Sequence, residues 1–347
     1  MTASDDAVAP ATIEEVARRA GVSRSTVSRV LNDVPTVDAA MRRRVEAAVR
    51  ETGYVPSLAA RSLVTGRTHS VALIVAEPSS GATGAAFFER VFSDPYFGRV
   101  TGGAQAVLRT QGVHLVVLPA DADGHDFVLR YLRQGHVDGA LVISSSAELE
   151  LPRALADLSV PTVLSHDPGP DVRLSWVDAD QFAGGRLAAE HLARTGRRRC
   201  VAVAGPRDLT AARERLAGFT TTATELGLAV TVLAGDFSAA GGAHAAHTIA
   251  AEHPDADSVF AANDVVAESV LHVLQDAGRR VPEDVAVVGF DDNASAAATS
   301  PALTTVRQPI EDMAAEMARL LLDRIGRPGQ QPRGVMFTPQ LVVRASA

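Results

Sequence analysis

The feature that most narrows what this chain can become is a series of short, wholly apolar runs ending on Gly, Asp or Asn and alternating with amphipathic stretches. Residues 71–76, 113–118, 139–144 and 162–164 form one set, with helices expected near 98–111, 126–134 and 152–157. After a longer helical stretch at Gln181–Arg194 the pattern restarts with residues 200–204, 230–233, 259–262 and 285–288. Strands that are apolar on both faces need cover on both faces, which the helices of a parallel sheet provide. Two such sets predict two α/β lobes, each a doubly wound parallel sheet. Ligands of such sheets sit beyond the carboxyl ends of the strands.

Composition removes several classes. At 347 residues and 46% apolar, the chain has material for two or three domains. No apolar run approaches the roughly 18 residues of a membrane span. The opening MTASDDAVAP is acidic and lacks the apolar stretch of a secretory signal. A single cysteine, Cys200, allows no intramolecular disulfide and fits a reducing compartment, so a cytoplasmic, nucleoid-associated protein is expected. Every one of the 33 basic residues is arginine. Residues 11–67 carry a net +4 and residues 68–347 a net −10, so a basic head precedes an acidic body. That division fits a head that meets a polyanion.

The head reads as three helices. Thr12 and Glu15 form a capping box, and Ile13, Val16, Ala17 and Ala20 recur at helical spacing. Gly21 ends this helix, and Ser23 caps a second over Arg24–Leu31. Its inner face is Val27, Val30 and Leu31. Asp38 caps a third helix, which runs through Thr52 and closes at Gly53. Two short helices joined by a Gly-Val-Ser turn and backed by a third describe a helix-turn-helix, whose second helix enters the major groove. Arg24, Ser25 and Arg29 are the candidates for base reading, since a guanidinium can donate bidentately to guanine. Ser23, Thr26, Ser28 and Asn32 are the candidates for backbone contacts. A small bundle with a solvated polar face would show the same spacing.

The residues themselves go further. TIEEVARRAGVSRSTVSRVLN, residues 12–32, closely resembles the DNA-binding head of the LacI/GalR (lactose-repressor) family of bacterial transcriptional regulators, and GYVPSLAARSLVTGRT, residues 53–68, resembles its hinge. AANDVVAESVLHVLQDAGRRVPEDVAVVGFDD, residues 261–292, resembles the family's effector-binding body, itself like periplasmic sugar-binding proteins, and PALTTVRQP, residues 301–309, its crossover segment. The resemblance spans residues 12–344. It implies a helix-turn-helix head (11–55), a hinge helix (56–67) and a periplasmic-binding-protein-like body (68–347). The N-lobe would take about 68–177 and 308–336, the C-lobe about 178–307 and 337–347. It further implies a homodimer on a pseudo-palindromic operator, in double-stranded DNA, and a leucine at position Leu63 that wedges into the minor groove.

Polar residues gather where strands end: Ser165-His166-Asp167, Asn263-Asp264 and Asp291-Asp292-Asn293. Taken singly, each also fits a strand-end or helix-cap role. By the resemblance Arg215, Asn263 and Asp291 are polar ligand clamps and Phe237 an aromatic wall. Tyr96 and Phe97 open the first helix toward the ligand, and Gln308 lies near the site. Ser165 stands where some sugar-responsive members carry an acid, while Leu209 and Ala211 lack the polar groups of the purine-responsive branch. A carbohydrate effector is thus favoured. Residues 77–94 read as an unusually long loop.

No Gly-rich phosphate loop or Gly-x-Ser-x-Gly elbow follows any strand, and His244 and His247 lack a third ligand at metal spacing. No enzyme, cofactor or metal is expected. The reading is therefore a DNA-binding regulator, a repressor by preference, controlled by a small molecule held between two lobes. Its rivals are a sugar-binding module or a sugar-converting enzyme on the same fold. Leu63→Ala is expected to weaken operator binding strongly in a gel-shift titration while leaving the melting temperature nearly unchanged. A stability loss with binding intact would sink the wedge.

Overall fold

The computed structural model describes residues 11–32, 34–55, 66–76, 84–121, 124–143 and 150–347, and the chain forms two compact units, residues 1–68 and 69–347. Most of the expected hinge helix, Leu63 included, lies outside the described residues.

In the first unit, α1 (Ile13–Ala20), α2 (Arg24–Leu31) and α3 (Ala39–Thr52) start where side chains can satisfy free backbone N–H groups. Thr12 accepts from the Glu15 amide, Ser23 from Thr26, and Asp38 from Ala40 and Met41. Gly21 closes α1 at φ 63°, where a Cβ would collide with the Arg44 guanidinium. That guanidinium donates to the carbonyls of Ala20 at 2.5 Å and Gly21 at 3.3 Å, so α3 pegs the turn between α1 and α2. Val16, Val27 and Val45 are fully buried beneath it.

The second unit holds two sheets. The first has the order β11-β5-β4-β3-β1-β2, built from β1 (Ser70–Ala76), β2 (His114–Ala120), β3 (Gly139–Ile143), β4 (Thr162–Leu164), β5 (Ser175–Ala179) and β11 (Gly334–Phe337). Its pairings are all parallel. The second has the order β12-β10-β9-β8-β6-β7, from β6 (Arg199–Val203), β7 (Ala229–Leu233), β8 (Ser258–Ala261), β9 (Ala286–Phe290), β10 (Thr304–Arg307) and β12 (Gln340–Val342). Here β12 departs from the expected all-parallel pattern by pairing antiparallel with β10. The chain passes between sheets after Ala179, after Arg307 and after Phe337, so each lobe is assembled from distant segments.

The body helices, in chain order, are α4 (Gly84–Ser93), α5 (Pro95–Leu108), α6 (His125–Arg133), α7 (Glu150–Ala156), α8 (Gln181–Arg194), α9 (Thr210–Glu225), α10 (Ala239–Glu252), α11 (Asp264–Asp276) and α12 (Ile310–Gly326). Part of the expected 77–94 loop is thus a helix. In α4, Phe87 and Val91 recur at i and i+4 and are buried, a helical signal hidden by the glycines before it. Helix α5 also starts three residues before the expected 98, because Asp94 accepts from the Tyr96 amide and Pro95 suits a first turn. The arginine run at 197–199 is engaged with its surroundings. Arg197 donates to the carbonyls of Asp257 and Pro282, and Arg199 pairs with Asp255.

Helices α8 and α9 cross with their backbones touching. A Cβ on Gly185 would run into the Arg215 carbonyl, and one on Gly218 into that of Phe182. Gly185→Ala is therefore expected to destabilise the body by about 1–3 kcal/mol, because the overpacked atom is rigid backbone. Gly98→Ala in α5, where a Cβ meets open space, should instead stabilise by roughly 0.5–1 kcal/mol. Equilibrium denaturation of both variants checks the pair; equal effects would contradict the packing described.

Candidate functional site

On the head, Arg24, Ser25, Arg29 and Asn32 are exposed, and Ser23, Thr26 and Ser28 line the same end and flank of α2. The Ser23 hydroxyl contacts those of Ser25 at 2.8 Å and Thr26 at 2.9 Å, so three hydroxyls cluster at the helix N-terminus. Arg24 is held by Glu14 of α1 at 3.0 Å, an exposed ion pair that orients the guanidinium at little energetic gain. Arg29 stands exposed in the last turn of α2. The expected contacts thus share one face, with the hydroxyls at the positive end of the helix dipole.

In the body, a cleft opens between the carboxyl ends of the two sheets. All eight residues expected there line it: Tyr96, Phe97, Ser165, Arg215, Phe237, Asn263, Asp291 and Gln308. Asp292 and Asp264, which the sequence sets beside them, do not. The Asp292 carboxylate is taken by Arg307 and Arg344, each at 2.6 Å. Asp264 is buried below the floor, accepting from the Thr305 hydroxyl at 2.6 Å and the Asn293 amide at 2.7 Å.

The polar wall is a closed ring. Arg215 donates through Nε (3.2 Å) and a terminal nitrogen (2.9 Å) to Gln181 Oε1. Gln181 donates to Gln308 Oε1 at 3.1 Å, and Gln308 donates to Asp291 Oδ1 at 2.6 Å. Asp291 completes the ring, 3.8 Å from Arg215. Arg215 and Asp291 are only 4% and 5% exposed, a burial that charges tolerate when paired and hydrogen-bonded. The guanidinium lies 3.5 Å from the Phe290 ring centre and also donates to the Ala262 carbonyl. Each member fixes the next, so the remaining acceptor on Asp291 and donors on Arg215 face the cleft preorganised.

Backbone strain concentrates at the same place. Asp291 and Asp292 both have positive φ, 105° and 52°, and Phe237 has φ 66°. Such conformations cost of order 1–3 kcal/mol each and persist where surroundings over-determine them. Here Asp264, Arg307 and Arg344 grip one turn. The other is held by Asn263, which donates to the Phe237 carbonyl at 3.1 Å while capping α11 through the Val266 amide. Asn263 therefore serves as cap and as lining at once. Gly205 leaves the space into which the Phe237 ring fits.

Sequence reasoning missed Asp94, Asp178, Gln181, Thr210 and Met313, which also line the cleft. Asp178 sits on β5, a strand whose polar Ser-Trp-Val-Asp-Ala run hid it, and Gln181 opens a helix that was seen only as a helix. Asp178 accepts from the Ala179 and Asp167 amides, yet burial raises its carboxyl to about 7. Burial likewise lifts Asp291 to about 6 against the pull of Arg215. It lowers His166 to about 4, leaving a neutral imidazole, and raises the Tyr96 phenol well above its usual range. The cleft at neutral pH thus offers a neutral imidazole, a phenol, amides and buried carboxyls beside the rings of Tyr96, Phe97 and Phe237. That set suits a polyhydroxylated ligand, with hydroxyls hydrogen-bonded and C–H faces against rings. Cys200 is buried away from it, with its thiol pushed up to about 12. Among the described residues, no group of three could hold a metal ion.

A helix-turn-helix head followed by a two-lobed body with a ligand cleft defines a DNA-binding, ligand-responsive regulator. Residues 12–57 match the family model "Bacterial regulatory proteins, lacI family", and residues 189–347 match "Periplasmic binding protein-like domain". The chain is 40% identical to the HTH-type transcriptional regulator CelR of Thermobifida fusca, over 96% of this chain and 98% of that protein. It is 32% identical to the ribose operon repressor of Escherichia coli (strain K12), over 97% and 100%. Among solved structures it resembles a CelR–cellobiose complex (38% identity, TM-score 0.74, covering 97% of this chain and 100% of that one). It also resembles the lac repressor dimer bound to operator and the anti-inducer ONPF (26% identity, TM-score 0.83, covering 97% and 99%). The chain belongs to the lacI family of bacterial regulatory proteins, and is a sequence-specific, DNA-binding transcription regulator with an effector-binding body.

The raised carboxyls give a pH dependence of definite sign. Their folded values lie above the unfolded value, so the folded body binds more protons between about pH 4 and 7. Stability contributed this way is complete below about pH 4 and is lost as pH rises through 6 and 7. Asp178→Asn should flatten the decline of melting temperature between pH 5 and 8. At about 1.4 kcal/mol per pKa unit, the gain at pH 8 is at most ~4 kcal/mol. An unchanged slope would mean that Asp178 titrates normally.

Proposed function

We propose that this regulator is a repressor whose effector is a carbohydrate, with a β-linked glucose disaccharide the first ligand to test. The observation that carries the reading is the Arg215–Gln181–Gln308–Asp291 ring facing Tyr96 and Phe237 across one cleft. A ring of this kind holds adjacent hydroxyls from one side while the aromatic walls take the sugar's apolar faces. The cellobiose in the similar CelR complex supports the choice of disaccharide, and the apolar Leu209 and Ala211 on the cleft wall offer little to a purine. In this reading Tyr96, Phe97, Ser165, Phe237 and Asn263 are ligand contacts, and Asp178 supplies an acceptor on the N-lobe side.

At the head, Arg24, Ser25 and Arg29 read base edges, while Ser23, Thr26, Ser28 and Asn32 hold phosphates. The working form is a cytoplasmic homodimer with no catalytic role. Exposed Val117 on β2 and exposed Val232 on β7 support the dimer, since both lie on outer strands whose apolar side chains would gain by cover. The similar lac repressor structure is a dimer on its operator.

Calorimetric titration with cellobiose, ribose and a purine base, on wild type and Asp291→Ala, tests the effector. Binding of cellobiose alone, abolished in the variant with operator affinity retained, is the expected result; binding of the purine alone would refute it. On DNA, Arg29→Ala should cost about 1–3 kcal/mol of specific affinity. Log affinity should fall with log salt by about 0.9 per phosphate neutralised. A flat salt dependence would contradict the head's role.

A further inference from the structure

One side chain of the first lobe reaches the effector clamp of the second. Arg99 stands on α5, one turn before Gly103. A Cβ on Gly103 would collide with the Glu311 backbone, so α5 and α12 lie in direct contact at this point. That contact brings Arg99 onto the Glu311 carboxylate in a two-point pair, Nε at 2.6 Å and one terminal nitrogen at 2.9 Å. A guanidinium has a further nitrogen, and its rigid plane fixes where that nitrogen goes once one edge is held. Here it reaches the second lobe. It donates to the Asp291 carbonyl at 2.8 Å and to Asn293 Oδ1 at 3.3 Å. These acceptors belong to the strained turn after β9, whose Asp291 carboxylate closes the polar ring in the cleft.

We propose that Arg99 is a positioning residue for the effector site: anchored by Glu311 on the first lobe, it latches the Asp291–Asn293 turn of the second lobe and holds the lobes in the arrangement that binds effector. The proposal rests on the reading of the cleft as the effector site. Arg99 does not line that cleft, so its effect on ligand passes through the turn and the lobe spacing. Glu311 has a defined part, because without a fixed edge the long side chain would not hold its free nitrogen across the gap. Asn293 is 2% exposed, and its side-chain oxygen accepts from Arg99. Interactions that bind two states unequally shift the population between them, so removing the latch should penalise the closed arrangement selectively.

The test reads lobe spacing without ligand, then with it. Spin labels are placed at Gln111→Cys on the first lobe and Ala277→Cys on the second, both exposed, with buried Cys200 left in place. Labelled chain is diluted in unlabelled chain so that pulsed electron spin resonance reports distances within one chain. Arg99→Met keeps length and packing but no donor; Arg99→Lys keeps a charge for Glu311 without the two-edged geometry. The wild type should give one narrow distance. Both Arg99 variants should broaden and lengthen it at unchanged circular dichroism, Asn293→Ala should do so in part, and Arg99→Met with Asn293→Ala should go no further than Arg99→Met. With cellobiose, Kd should rise about tenfold or more in Arg99→Met, the loss of a charge-assisted hydrogen bond. Distances in Arg99→Lys that superimpose on wild type overturn the latch. So does additivity of Arg99→Met with Asn293→Ala. If wild type ignores cellobiose, the proposed effector falls, and the distance distributions still decide for or against the latch.

Discussion

The hydrogen bond between Gln181 and Gln308 connects more of this molecule than its 3.1 Å suggests. Both residues stand where the chain passes between sheets, Gln181 just after β5 and Gln308 just after β10. Each also holds a charged residue of the cleft lining, Gln181 holding Arg215 and Gln308 holding Asp291. The segments about which two lobes could rotate and the charged groups that line the cleft are therefore one hydrogen-bonded unit. Any force on Arg215 or Asp291 acts directly on the crossover. Coupling of this kind needs no long relay, only a bonded network with few alternatives inside a close-packed interior.

The network is costly to maintain, and the structure shows where the compensation lies. Two consecutive aspartates take positive φ, a buried guanidinium is stacked on Phe290, and Asp264 is buried next to Asp291 with its carboxyl raised well above the usual range. Opposing this are four fully satisfied contacts around Asp264 and Asp292, and the glycine-mediated crossing of α8 and α9 that brings Arg215 to Gln181. Stability is given up at the site and regained in its surroundings, as expected where a fold must present charge in a dry cleft.

How much of this could be read from the chain depends on how local each signal is. The head was legible nearly to the residue, because caps such as Thr12, Ser23 and Asp38 and the stop at Gly21 act within four positions. The wholly apolar strands were legible, because burial on both faces leaves no other composition. What escaped lies at margins. Strands β5 and β10 begin with polar residues, Ser175 and Thr304, whose hydroxyls bond backbone amides of neighbouring segments, Arg333 and Arg344. Asp178 was hidden with β5. Helix α4 was obscured by glycines, and Gln181 and Arg99 matter through partners far along the chain, 34 and 127 positions away for Gln181 and 192 and 212 for Arg99. All eight expected cleft residues come together, yet Asn263 is as much a cap as a lining, a dual use that spacing does not separate.

The three passages between sheets also set an order for synthesis. Residues for α1 to α3 leave the ribosome early and carry their own core, so the head can fold while the rest is being made. Neither lobe has that freedom. The first sheet lacks β11 until Phe337 has emerged, and the second lacks β12 until Val342, while α12, which covers the first sheet, comes only with residues 310–326. A nascent chain thus carries a finished DNA-reading head ahead of a body that cannot close. The ability to seek DNA is acquired before the ability to respond to a ligand, and the last few dozen residues deliver the response to both lobes nearly at once.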